Sequence, residues 1–163
     1  MGQVSALTVH GVTERLEFSY RLAGTGWSEA RISYGQAFAD LSASYLSDAL
    51  GDLLAALMLL NDGATVARVS WEEEPGEFRW IFQRVSDEAI DVVVLWFDDD
   101  DGLPDDRGTV VFETRTSSIE LTSAIAAGAR QLLDEIGEVE YERQWVEHAF
   151  PTESLRKLER MPD

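Results

Sequence analysis

Residues 14–34 alternate between apolar and polar side chains twice over. Leu16, Phe18, Tyr20 and Leu22 share one face, with Glu17, Ser19 and Arg21 on the other. Ala23-Gly24-Thr25-Gly26 breaks the run, and it resumes from Trp27 with Ala30, Ile32 and Tyr34 opposed to Glu29, Arg31 and Ser33. Period-two alternation on both sides of a glycine-rich break predicts a β-hairpin. Gly24-Thr25-Gly26 reads as a turn rather than a dinucleotide loop, because position 29 is Glu and a strand follows instead of a helix. From about Asp40 the period changes. Leu46, Leu50, Leu53, Leu57 and Leu60 recur at steps of four and three, the stripe of an amphipathic helix. Asp40, Ser42 or Ser44 would cap its start and Asn61-Asp62-Gly63 would stop it, with Asp48 and Asp52 one turn apart outside the stripe.

Residues 70–85 carry a second hairpin signal around Glu74-Pro75-Gly76-Glu77. Pairing Glu74 with Glu77 sets Trp71 opposite Trp80, Val69 opposite Phe82 and Glu73 opposite Phe78 on an aromatic face. The same register sets Glu72 opposite Arg79 on a polar face. The following run, residues 90–97, is apolar on both faces and suits a central or doubly covered strand. Residues 98–108 lack an apolar period, and residues 109–115 alternate again, which completes an antiparallel meander. Ser117-Ser118-Ile119-Glu120 matches a capping box, ahead of a face formed by Leu121, Ile125, Gly128, Leu132 and Ile136. Ala124, Ala126, Ala127 and Ala129 make that helix narrow enough to lie close on a sheet, and Gly137 ends it. A shorter helix with Tyr141 and Trp145 follows, then a last turn carrying Leu155 and Leu158. The expected order is β-β-α-β-β-β-β-α-α in a single domain spanning residues 1–163. The expected fold is an α+β two-layer sandwich, a mainly antiparallel sheet of about six strands with two long helices on one face. Its other face is left to solvent or to a partner.

Charge adds the strongest compositional fact. Thirteen basic residues against 31 acidic ones give a net −18. That balance argues against nucleic acid and anionic membranes as partners, and for a basic protein. A single lysine, Lys157, among abundant arginine and alanine points to a high-GC bacterial genome or a salt-adapted proteome. The N-terminal residues show no signal-peptide pattern and no apolar run is long enough to span a bilayer, so a cytoplasmic protein is expected. With no cysteine there is no disulfide, thiolate nucleophile or cysteine metal site.

Neither a nucleophile elbow, a phosphate-binding loop nor an HExxH helix is present, and His10 and His148 are the only histidines. His148 beside Glu147 is the one candidate base, and a lone histidine after a C-terminal helix is more often a surface or capping residue. Residues 97–108 fail the EF-hand pattern at both ends, with Phe97 in the first position and Gly108 in the twelfth. No cofactor, metal or catalytic residue is therefore assigned. The acidity, by contrast, is concentrated. Residues 64–115 carry 14 acidic against 5 basic side chains, half of the net charge, gathered at two turns. One turn holds Glu72, Glu73, Glu74 and Glu77, the other Asp98, Asp99, Asp100, Asp101, Asp105 and Asp106. If the strands pair in sequence, both turns fall at one end of the sheet. These ten residues are the expected partner-binding site.

The EPGEFRW hairpin and the C-terminal YERQWVEHAFP segment, in a small acidic α+β chain, resemble bacterial immunity proteins of polymorphic toxin systems. The resemblance implies stoichiometric inhibition of a toxin, often a basic nuclease, by occlusion of its active site, and it transfers no individual residue. The leading expectation is a non-enzymatic acidic binding protein of that type. Two alternatives stand beside it. One is a ligand-binding domain or enzyme with an apolar cleft between helices and sheet, lined by Trp71, Trp80 and Trp96. The other is a self-associating domain, a homodimer in which Val93, Leu95 and Phe97 bury the outer sheet face.

Overall fold

The alternation at the start of the chain does form strands, but three of them. In the computed structural model, which describes residues 14–99 and 101–161, β1 (Leu16–Leu22), β2 (Trp27–Tyr34) and β3 (Ala37–Ser44) make an antiparallel sheet in sequence order. Helix α1 (Ala49–Asn61) follows. Then β4 (Val66–Glu72), β5 (Glu77–Arg84), β6 (Ile90–Phe97) and β7 (Thr109–Thr116) make a second antiparallel sheet. Helices α2 (Ser118–Trp145) and α3 (Thr152–Glu159) close the chain. The α+β class holds, with seven strands in two sheets where one sheet of about six was expected. The extra strand is β3. Its inward residues Ala39, Leu41 and Ala43 are mostly small, so the alternation is faint, and Asp40 reads as a helix start. The helix begins at Ala49 instead, capped by Asp48, whose carboxylate accepts from the Gly51 N–H. Leu46 lies ahead of it and is exposed.

The two sheets and the helices share one core. Phe18 and Tyr20 of β1 meet Trp80 and Trp71 of the second sheet at ring-centroid separations of 6.2 and 5.9 Å. Leu50, Leu53, Leu54, Leu57 and Leu60 of α1 bury the predicted stripe against the same cluster. Burial of each large side chain is worth roughly 1.5–3 kcal/mol, which makes this cluster the main stabilising term. The long helices flank the sheets rather than sharing a face. Helix α1 packs beside β4, and α2 runs along β1. Gly128 permits that approach: a Cβ there would stand 2.6 Å from the Phe18 carbonyl oxygen. The Leu16 N–H, on the edge of the sheet, donates to Glu120 of the same helix at 2.8 Å. Gly137 interrupts α2 with φ 77°, where the sequence places the helix end.

The β4–β5 register is shifted by two residues from the expected one. Glu72 pairs with Glu77, so Trp71 faces Phe78 and Val69 faces Trp80, and the connection is the four-residue loop 73–76. Glu73 N–H donates to the Gly76 carbonyl at 2.9 Å, and Glu74 and Gly76 both take positive φ. A shift of two preserves the faces, because side chains alternate with period two. Trp71 and Trp80 therefore still lie together, diagonally, 5.3 Å between ring centroids and fully buried. The pair is core. The expected apolar cleft between helices and sheet is filled by these side chains. No helix of the described residues is long and apolar enough to cross a membrane.

Candidate functional site

Strand order β4-β5-β6-β7 brings the β4–β5 and β6–β7 connections to the same end of the second sheet. The two turns touch there. Glu77 pairs with Phe97, and a Cβ on Gly76 would lie 2.4 Å from the Trp96 ring. The Trp96 indole N–H in turn donates to Asp98 at 2.9 Å, fixing the first carboxylate of the second turn. The expected acidic end of the sheet exists, but its ten residues do not play one role.

Glu77 and Asp105 are taken by arginines. Glu77 is only 4 % exposed, accepts from Ser70 Oγ at 2.7 Å, and is held by both Nε and Nη2 of Arg79 at 3.0 and 3.1 Å. Arg79 also donates through Nη1 to the Leu103 carbonyl and to Asp105, at 2.7 and 2.8 Å. Arg68 binds the same Asp105 carboxylate. The Arg68 hydrogen bond holds the Asp105 carboxyl below the usual aspartate range; burial opposes it, and the Arg79 hydrogen bond adds to the lowering. Through these bonds residues 101–108 fold back over the outer sheet face, with a 3-10 turn at Asp105–Arg107. Phe97 sits under this flap with the Arg79 guanidinium 4.2 Å above its ring. Leu95 and Phe97 are consequently buried, at 5 and 3 % exposure. Of the three outer-face residues expected to seal a homodimer, Leu95 and Phe97 lie under the chain's own loop and Val93 is half-buried.

The remaining acids face outward to different degrees. Glu74, Asp98, Asp99, Asp101 and Asp106 are exposed; Glu72 and Glu73 are half-buried. Glu73, expected beside Phe78, instead accepts from Ser42 Oγ and ties the turn to β3. Asp100 lies outside the described residues, as does His10. Among the described residues no group of three or more His, Asp or Glu side chains is arranged to hold a metal ion. What the sheet end offers is a set of carboxylates, braced through Asp105 by buried Arg79 from beneath and by exposed Arg68 beside it. Sequence reasoning assigned Arg79 to Glu72 across the strand and so missed the brace; the usable signal was an arginine in mid-strand among acids.

None of three comparisons finds a match: not protein-family models, not curated proteins, not solved structures. The site must be read from its own geometry.

Two grooves lie elsewhere, where α2 stands beside the outer face of the first sheet. One, about 510 Å³, is lined by Arg15, Glu17, Ser19, Glu120 and Ala127; the other, about 700 Å³, by Arg21, Glu29, Arg31, Asp40 and Gln131. Each arginine is already engaged: Arg15 with Glu17, Arg21 with Glu29, and Arg31 with Asp40 through two nitrogens. Arginines neutralised in place give a small anion little to exploit. His148 is half-buried beyond α2, near Asp48 and Asp52 of α1. Burial raises both carboxyls above the usual range; the Asp48 charge adds to the shift at Asp52, and His148 opposes it at both. This is a capping cluster, with Asp48 spent on the Gly51 N–H.

The acidity itself has a measurable cost. Eighteen excess negative charges repel across the whole chain, whereas the arginine–carboxylate pairs are mostly exposed and individually weak. Repulsion outweighs the pairs, so raising NaCl from about 0.05 to 0.5 M is expected to increase the melting temperature by about 3–6 °C. A melting temperature that falls with salt would show the pairs to dominate.

Proposed function

We propose that the protein is a non-enzymatic acidic binding protein whose partner is a basic protein, held at the carboxylate-bearing end of the second sheet. The observation that carries this reading is the joining of two acidic turns into one surface, with Glu74, Asp98, Asp99, Asp101 and Asp106 exposed on it. Buried Arg79 and exposed Arg68 both hold Asp105 of the second turn, so that this part of the surface is ordered before a partner arrives. Preorganised charge of one sign chiefly accelerates encounter with a partner of the other sign. The finer reading is an immunity-type inhibitor that occludes the active site of a basic toxin, in keeping with the sequence resemblance.

The test starts with a basic protein recovered from the native host and identified, or with a toxin encoded beside this gene. The variant Glu74→Lys/Asp98→Lys/Asp101→Lys/Asp106→Lys is expected to slow its association about tenfold or more at low salt, while dissociation changes less. In 0.5 M NaCl, about the strength that screens these charges, the two proteins should differ little. Association indifferent to the four reversals would exclude this surface.

A further inference from the structure

Three of the four sheet edges are occupied. Helix α2 runs along β1, α1 runs beside β4 with the Glu72 N–H donating to Ser47 Oγ, and β3 lies against the ends of β4, β5 and β7. Among the described residues the second half of the β7 free edge has no helix or strand along it; the start of β3 lies near the first half. An uncovered edge of this kind is a template for another strand. We propose that β7 pairs edge to edge with β7 of a second copy of this chain, antiparallel about Thr114.

Register follows from charge. On β7 the outward side chains near the free edge are Glu113 and Arg115, both exposed. A two-fold axis at Thr114 puts Glu113 opposite Arg115 of the second copy, and the reverse, within the roughly 5 Å reach of facing side chains. Arg115 holds Asp91 through Nε and Nη2, at 2.6 and 3.1 Å, so Nη1 is the nitrogen turned to the incoming Glu113. Any odd-residue slip sets outward side chains against inward ones, and a slip of two sets Glu113 against Glu113 or Arg115 against Arg115.

Shape agrees with this register. A shallow groove flanks the first half of the same edge, lined by Gln36, Ala37, Phe38, Val110, Val111 and Glu113. Phe38 and Val110 are 52 and 51 % exposed there, beside the bulge that places Val111 as an extra residue between the partners of Val94 and Leu95. The bulge ends regular pairing, so the shared ladder runs from Phe112 to Thr116. Beyond it the register carries Ile119 of the second copy, exposed by 50 % on this chain, toward Val110 and Phe38. Knob and groove are thus supplied by the same surface, as an isologous dimer requires. This contact uses neither the flap nor the acidic turns, and it stands whether or not the proposed partner binds.

Sedimentation equilibrium of the full chain, up to several hundred micromolar, tests the proposal. The wild type is expected to form a reversible dimer. Glu113→Arg and Arg115→Glu, each folded by circular dichroism, are each expected to weaken it about tenfold or more, because facing charges become alike. An equimolar mixture of the two variants should dimerise again, since every facing pair across the mixed interface then joins opposite charges. Thr114→Cys, the sole cysteine in such a chain, should oxidise to a linked dimer, and Glu17→Cys should not. A wild type monomeric throughout overturns the proposal. So does a dimer unaffected by either reversal, and so does a mixture that stays monomeric.

Discussion

Replacing Arg79 by Ala is expected to destabilise the protein by about 3–5 kcal/mol, the usual cost of stranding one member of a buried ion pair. Glu77 is the stranded group, 4 % exposed, with Ser70 Oγ left as its hydrogen-bond donor. The same change removes the bonds to Leu103 and Asp105, so the flap of residues 101–108 keeps the Arg68 bond to Asp105 but loses those of Arg79, and Phe97 loses the guanidinium above its ring. Chemical denaturation measures the stability, and hydrogen exchange at Leu95 and Phe97 reports the flap. The double variant Glu77→Leu/Arg79→Met should recover much of the loss, since it leaves no buried charge unpaired. If Arg79→Ala costs less than about 1 kcal/mol, the pair is a surface pair in effect and the brace is wrong. Acid should loosen the flap in the same way. The Asp105 carboxyl is lowered in the fold, so the folded chain binds its proton less tightly than the unfolded chain does. Its contribution is complete above the unfolded value of 3.8 and is lost as pH falls below that through the folded value.

Gly128→Leu is the second large effect, expected to cost about 3 kcal/mol or more. Helix propensity alone predicts the opposite, since Leu is favoured over Gly in a helix by somewhat under about 1 kcal/mol. The decisive contact is with backbone. A Cβ at position 128 meets the Phe18 carbonyl oxygen at 2.6 Å and the Phe18 ring at 2.7 Å, and a carbonyl inside a paired strand cannot rotate away. Helix α2 would have to lift from β1, breaking the Glu120 bond to the Leu16 N–H. Gly128→Ala carries the same Cβ and separates the explanations. Steric exclusion predicts loss of stability, propensity predicts a gain, and a melting curve decides.

Gly128 was legible in outline. A run of alanines around a glycine implies a helix that lies close on something, and only the tertiary fold says that β1 is the surface. The β4–β5 faces were legible for a similar reason: alternation places Val69, Trp71, Trp80 and Phe82 together at any even slip. Register was not, because a two-residue turn and the observed four-residue loop give the same faces and differ in length alone. Strand β3 escaped notice because Ala and Ser carry little hydrophobic contrast, and the leucine period that follows it extends a step too far back, to Leu46. At the candidate site, the joining of two turns followed from strand order. The removal of Glu77 and Asp105 from the exposed set did not, since it depends on a loop folding back across the sheet to Arg68 and Arg79.

The seal between β1 and α2 also sets a timetable. Leu16 and Glu120 are 104 positions apart, so the strand waits for a helix made about a hundred residues later. During synthesis β1 emerges, pairs with β2, and keeps a bare edge until residues 118–145 have left the ribosome. Contacts this distant in sequence slow folding, and an open strand edge in the interval invites pairing with other chains. Truncation before Ser118 would fix the nascent chain at that vulnerable stage, with the first hairpin made and nothing to close it.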